Sequence, residues 1–155
     1  MADLRTTMLT LRTRTLGLLH RISTWLPALL LRATIGTIFA STGWGKVHNL
    51  DKVTAFFTEL KIPMPHLNAI VVGWSELICG SLLVLGLATR FAVLPLIVSM
   101  IVAILTAKLP DLHGVLDLVT TEEFLYLMVL MAIGILGPGK ASIDRFIAEK
   151  LEAKS

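Results

Sequence analysis

Apolar residues fall into four long blocks, at 25–43, 67–88, 91–109 and 121–136, with short polar intervals between them. Crossing a hydrocarbon core about 30 Å thick takes a helix of about 20 apolar residues. The first three blocks meet that length, the first despite Arg32, the second despite Glu76, and the third up to Pro110. The fourth is shorter, and spans only by thinning the bilayer or by starting earlier, near Val115. Thr120 and Glu123 have the spacing of a capping box, which favours the later start. Ahead of the blocks, Leu4, Met8, Leu11, Leu18 and Ile22 recur near helical spacing with Arg5, Arg12, Arg14 and Arg21 among them. This pattern predicts a basic amphipathic helix on a membrane surface over residues 1–24. It does not fit a cleaved signal peptide, since the basic region is too long and no small-x-small site follows a short apolar core.

The intervals carry structure as well. Val53, Phe56, Phe57 and Leu60 stand at i, i+3, i+4 and i+7, which predicts a short interfacial helix across the bundle mouth. Asp51 or Asn49 would cap it, and Pro63 and Pro65 would end it. Thr89 and Arg90 leave so short a link that the second and third blocks must form an antiparallel hairpin. After Gly137, Pro138 and Gly139 comes a short charged helix over 142–152. The predicted fold is all-α, a four-transmembrane-helix antiparallel bundle with an amphipathic N-terminal helix and a short interfacial helix. The expected divisions are 1–24, a membrane domain over 25–139, and a cytoplasmic tail helix over 140–155.

Composition narrows the class. Of 155 residues, 55% are hydrophobic and 16% charged, with a mean hydropathy of +0.80; soluble domains have about 45–50% apolar and about 25% charged residues. That excludes a disordered chain, a nucleic-acid-binding module and a disulfide scaffold, and argues against a small soluble enzyme. The pI near 9.3 does not point to nucleic acid, because the basic residues edge the apolar blocks and so fit membrane orientation and anionic lipid. One side would hold Arg5, Arg12, Arg14, Arg21, Arg90, Lys140, Arg145, Lys150 and Lys154, the other only Lys46, Lys52, Lys61 and Lys108. Both termini are therefore expected in the cytoplasm. The lone Cys79 rules out an internal disulfide and a paired-thiol relay within the chain.

Two ionisable residues lie inside the blocks. A charge at mid-bilayer costs several kcal/mol, by about 2.5–3.5 kcal/mol on insertion scales, so such residues face inward and pair. Gly73, Glu76, Gly80 and Leu83 share one helix face; Arg32, Gly36, Ala40 and Gly43 share another. Packing these small-residue stripes together would bring Arg32 and Glu76 into one polar pocket. The pair could fix helix packing, or line a pocket for a small amphipathic ligand such as a quinone, with Glu76 relaying a proton. Arg32 could instead snorkel toward the cytoplasmic lipid. No histidine lies in mid-span. His48, His66 and His113 share the outer side, but their spacing matches no metal motif, and no metal site is expected. Trp25, Trp44 and Trp74 read as an aromatic belt.

In order and spacing, these elements resemble the DoxX family of small four-helix membrane proteins. The resemblance rests on Arg32 through Gly36, Gly43 through Lys46, Phe56 and Phe57, Pro63, Glu76 through Gly80, Leu83 through Arg90, and Gly137 through Asp144. It covers about residues 26–146. The family takes its name from membrane subunits of a thiosulfate:quinone oxidoreductase, and other members are associated with membrane oxidoreductase complexes in oxidative-stress defence. The resemblance implies a subunit of a quinone-linked oxidoreductase in a bacterial plasma membrane, with electrons supplied by a partner protein. Glu76 is the catalytic candidate, and Arg32, Lys46, Glu76 and Arg90 are the polar members of the family pattern and the candidates for holding the quinone. A non-catalytic scaffold or assembly factor, a small-molecule or lipid carrier, and a homo-oligomer remain open.

Overall fold

The structure is a computed structural model that describes residues 25–112, 114–139 and 141–152. The amphipathic helix expected over 1–24 lies outside the described residues. Those described are helical with connecting turns, and no strand occurs among them. The helices are α1 (Leu26–His48), α2 (Leu50–Glu59), α3 (Pro65–Leu85), α4 (Thr89–Ala103), α5 (Val115–Thr120), α6 (Glu122–Leu136) and α7 (Ile143–Glu152). A π-helical turn, Ile104–Lys108, prolongs α4, and a 3-10 turn, Leu109–Asp111, follows it. Among the described residues, three helices are long and apolar enough to cross a membrane: Leu26–His48, Pro65–Leu85 and Thr89–Lys108.

Local chemistry sets the boundaries, and several differ from the sequence expectation. Asn49 alone separates α1 from α2; it stands at the N-cap position of α2, but its side chain bonds back to the Gly45 carbonyl and caps nothing. Helix α2 stops before the prolines. The Ile62 amide reaches back to the Phe57 carbonyl around Lys61, which is left-handed at φ 56°, a helix-ending geometry in which backbone bonds satisfy the last carbonyls. Pro65 opens α3 from its first position, where the missing N–H costs nothing. Gly86, at φ 69°, ends α3, and Leu87 and left-handed Ala88 complete the turn. The hairpin link is thus Gly86–Ala88, and Thr89 and Arg90 already belong to α4. The fourth block forms α6, and the stretch from Val115 that could have lengthened it is a separate helix, α5, broken from α6 at extended Thr121, whose hydroxyl accepts the Phe124 amide. The capping residue is therefore Thr121, and the Thr120 hydroxyl bonds instead to the Asp117 carbonyl.

The seam between α1 and α3 organises the core. Small residues on both helices let the backbones touch: a Cβ on Gly36 would lie 2.8 Å from the Gly80 carbonyl oxygen, and one on Gly43 would lie 2.8 Å from the Leu77 Cα. Such close approach is how membrane helices gain packing without a hydrophobic drive. Ile35, Phe39, Leu83, Leu96, Leu130 and Ile133 are buried around that seam and join α4 and α6 to it. Phe39 meets Tyr126 edge-on at 6.0 Å. Most other large apolar side chains point outward, including Phe91, Leu94, Leu105 and Ile135. A surface that apolar is expected where lipid, not water, covers it.

Candidate functional site

Glu76 sits midway along α3 on the face turned to α1, and it is the most deeply buried acid described, 1% exposed. Its carboxylate is held from three sides. Oε1 receives the Lys46 ammonium of α1 at 2.6 Å and the Ser99 hydroxyl of α4 at 3.2 Å; Oε2 receives the Thr42 hydroxyl of α1 at 3.2 Å. The α1–α3 register makes this possible. Gly43 lies against Leu77 and Gly73 against Val47 and Lys46, so Thr42 and Lys46, one turn apart on α1, flank the carboxylate. A buried carboxylate is tolerable when its acceptor sites are filled in this way.

The expected pairing of Arg32 with Glu76 is not found. Arg32 stands 14 residues before Lys46, about 21 Å away along α1, and lies opposite the far end of α3. Its guanidinium, 2% exposed, donates to the Pro138 carbonyl and, at 2.7 Å, to the Ala141 carbonyl. It also packs on Gly86, where a Cβ would come within 2.6 Å of the guanidinium carbon. Arg32 thus turns toward the end of the molecule that snorkelling favours, but it finds carbonyl oxygens there in place of lipid. Arg90 lies at this same end, beside Gly137. Of the four polar residues, Lys46 and Glu76 form one site, whereas Arg32 and Arg90 belong to the anchorage of the C-terminal segment. Both small-residue stripes do pack together; what differs from expectation is the residue that each charge meets.

A cavity of about 1140 Å³ opens directly over the Lys46–Glu76 pair. Its floor is Thr42, Lys46, Glu76 and Ser99. Val71 and Val72 of α3, and Pro95, Val98 and Val102 of α4, form apolar walls, and Tyr126 closes the α6 side. Phe56, Phe57 and Leu60 of α2 lie across the top. The π-helical turn lines it too, through Thr106, Ala107 and Lys108; within that turn the Leu109 amide reaches five residues back to Ile104, a widening often met at functional sites. Lys108 pairs with Glu123 at 3.4 Å, joining that turn to the start of α6 at the rim. The Lys46 side chain remains 30% exposed. An ammonium has three donors, and only one is engaged by Glu76. The pair therefore offers an incoming molecule hydrogen-bond donors on a partly exposed cation that is held by a buried carboxylate.

Thr42, Ser99 and Tyr126 were not among the residues singled out from sequence. Ser99 had a legible signal, as a polar residue deep in an apolar block. Thr42 had only its position one turn before Lys46. Elsewhere, His48 bonds to the Trp44 carbonyl at 2.9 Å and His66 meets Thr54 at 3.3 Å; His20 and His113 lie outside the described residues. Cys79 is half-buried against the core.

The DoxX family model matches residues 28–109, a stretch that includes the three helices, α1, α3 and α4, that supply the cavity floor. An uncharacterized membrane protein of Mycobacterium tuberculosis (strain ATCC 25618 / H37Rv), Rv3486, is 30% identical over 135 residues, covering 79% of this chain and 82% of that protein. A Bacillus subtilis (strain 168) protein named, provisionally, as an oxidoreductase, CatD, is 33% identical over 121 residues, covering 77% of this chain and 85% of its own length. No solved structure matches the chain at a significant level. With its apolar spans, its glycine seam and a family match over more than half its length, the chain belongs to the DoxX family of membrane proteins.

Proposed function

We propose that this protein is the integral membrane subunit of a quinone-linked oxidoreductase system, and that the cavity over Lys46 and Glu76 binds the quinone or a similar small amphipathic ligand. The observation that carries this reading is a lysine side chain, 30% exposed and fixed by a buried carboxylate, at the floor of a largely apolar cavity of about 1140 Å³. Ligand sites are largely apolar with a few fixed polar groups. The group recognised must accept hydrogen bonds, as a quinone carbonyl does, because Lys46 has only donors to give. When bound, the quinone would exchange electrons with a partner protein.

The residues then have separable roles. Lys46 orients the ligand's oxygen and holds a proton next to it, at Nζ. Glu76 acts through Lys46, because both its oxygens are occupied by Lys46, Thr42 and Ser99. A proton moving to or from Glu76 would pass by Nζ. Phe56 and Phe57 exclude water from above. The name of the Bacillus subtilis relative supports an oxidoreductase role. Location in a bacterial plasma membrane, a fourth crossing made by α6 with the help of α5, and cytoplasmic termini complete the proposal. The first is supported by the bacterial relatives, the last by the uneven distribution of Lys and Arg.

The test is purification in mild detergent, followed by mass spectrometry of retained small molecules and titration with a short-chain ubiquinone. Wild type should retain or bind quinone, Lys46→Met should lose it, and Lys46→Arg should keep part of it. Glu76→Gln should weaken binding by an amount between these, since an amide still accepts from Lys46 but without charge. Absence of quinone from well-folded wild type, with a protein partner retained instead, would replace this reading with that of a scaffold.

A further inference from the structure

We infer that α7 is an in-plane membrane anchor, whose apolar stripe takes up the headgroup–acyl boundary of the bilayer at the end of the molecule opposite the cavity. The inference is independent of what the cavity binds.

Its first support is the face itself. Ile143, Phe146, Ile147 and Leu151 fall on one side of α7 and are 38%, 59%, 44% and 65% exposed, so the bundle does not cover them. Arg145, Glu149 and Glu152 fall on the other side, and Arg145 bonds to Glu149 at 2.8 Å. Lys150 interrupts the apolar side, but its ammonium lies over the Phe146 ring at 4.7 Å, a cation–π contact that gives the charge a partner on that face. A short helix with so strong a division of faces lies in an interface.

The second support is where α7 is fastened. The Asp144 amide donates to the Gly86 carbonyl, and the Asp144 carboxylate accepts the Ala88 and Thr89 amides at 2.6 and 3.0 Å. The carboxylate thus satisfies the free amides at the start of α4, a favourable place for negative charge. Arg32 holds the Pro138 and Ala141 carbonyls just upstream. Gly86–Ala88 is the turn between two spanning helices, so the first turn of α7 is pinned at the membrane boundary. Phe91 and Trp25, at the same end, are 77% and 36% exposed and continue the aromatic rim to which Phe146 adds. Asp144 faces the turn from beside the apolar stripe, not from opposite it, so fastening α7 leaves the stripe free to meet the lipid that covers the spans.

The test uses the full chain, with Cys79→Ala and one cysteine at a time at residue 145, 147, 149 or 151, spin-labelled and reconstituted in vesicles of phosphatidylcholine and phosphatidylglycerol. Collision with oxygen, which concentrates in lipid, is compared with collision with a water-soluble nickel chelate. The oxygen-to-nickel ratio should be several-fold higher at 147 and 151 than at 145 and 149. Equal ratios at all four positions, at the level of a solvated helix, would overturn the inference. So would low accessibility to both reagents at 147 and 151, which would mean that a second copy or another protein covers the stripe. All four positions are exposed, so the labels should leave folding intact, checked by an unchanged gel-filtration profile.

Discussion

Glycines in α1 and α3 do unequal work. Gly80 meets α1 closely enough that a Cβ would stand 2.8 Å from the Gly36 carbonyl oxygen, while Gly45, on the same α1 helix as Gly36, has no atom within 4 Å of a Cβ position. Gly80→Val should therefore force the seam apart, with a loss of about 1–3 kcal/mol typical of overpacking. It should also weaken the Lys46–Glu76 pair that the seam aligns. Gly45→Ala should change stability by less than about 1 kcal/mol. Thermal unfolding of both variants in the same detergent tests the contrast; equal losses would mean the backbones are not in contact. The stripes of small residues could be read from sequence because their spacing is helical. Their register could not, since sliding one helix by a turn leaves the same faces together. That is why Arg32 was matched to Glu76, although Lys46, which resembles an ordinary cation at a helix end, is the partner.

At the level of the element, the apolar blocks correspond to α1, α3, α4 and α6 and the spacing from Val53 to Leu60 to α2, whereas α5 is a separate helix that the pattern does not predict, and the other differences lie at helix ends. The pattern makes Pro65 a stop where it is a start, and it puts the capping residue of α6 one position early. The reason is physical: helix ends are decided by single hydrogen bonds and by left-handed residues such as Lys61, Met64 and Ala88, which pattern alone does not reveal. The cap of α6 gives a direct check. Thr121→Ala removes the acceptor of the Phe124 amide and should cost about 1 kcal/mol. Thr120→Ala removes only a hydroxyl bond to the Asp117 carbonyl and should cost less. Denaturant titration of the two variants would decide between them, and a larger loss at Thr120 would restore the earlier boundary.

Across the whole molecule, polar chemistry is divided between two ends. One holds the cavity with Lys46 and Glu76; the other holds the clamp of Arg32, Arg90 and Asp144 on the C-terminal segment. Class and family were readable from composition and motif order, whereas this division was not, since it depends on which residues α1 and α3 bring level. The proposed orientation puts the clamp on the cytoplasmic side. In intact cells an impermeant maleimide should then label a cysteine introduced at Lys52 but not one at Glu149, each with Cys79→Ala, and should reach the second only once the membrane is opened. Labelling of both from outside would contradict a chain that crosses as proposed.

The glycine seam has a consequence for how the cavity yields. On the α1 and α3 side the wall is backbone against backbone and cannot recede. On the α4 side, Pro95 lacks an amide to donate and the helix widens over Ile104–Lys108, so that wall has fewer regular bonds to hold it. Molecules of different girth should be accommodated by displacement of α4, and amides over 96–108 should exchange with deuterium sooner than those over 33–43. An occupant of the cavity should slow that exchange in the compliant wall and leave the rigid one unchanged.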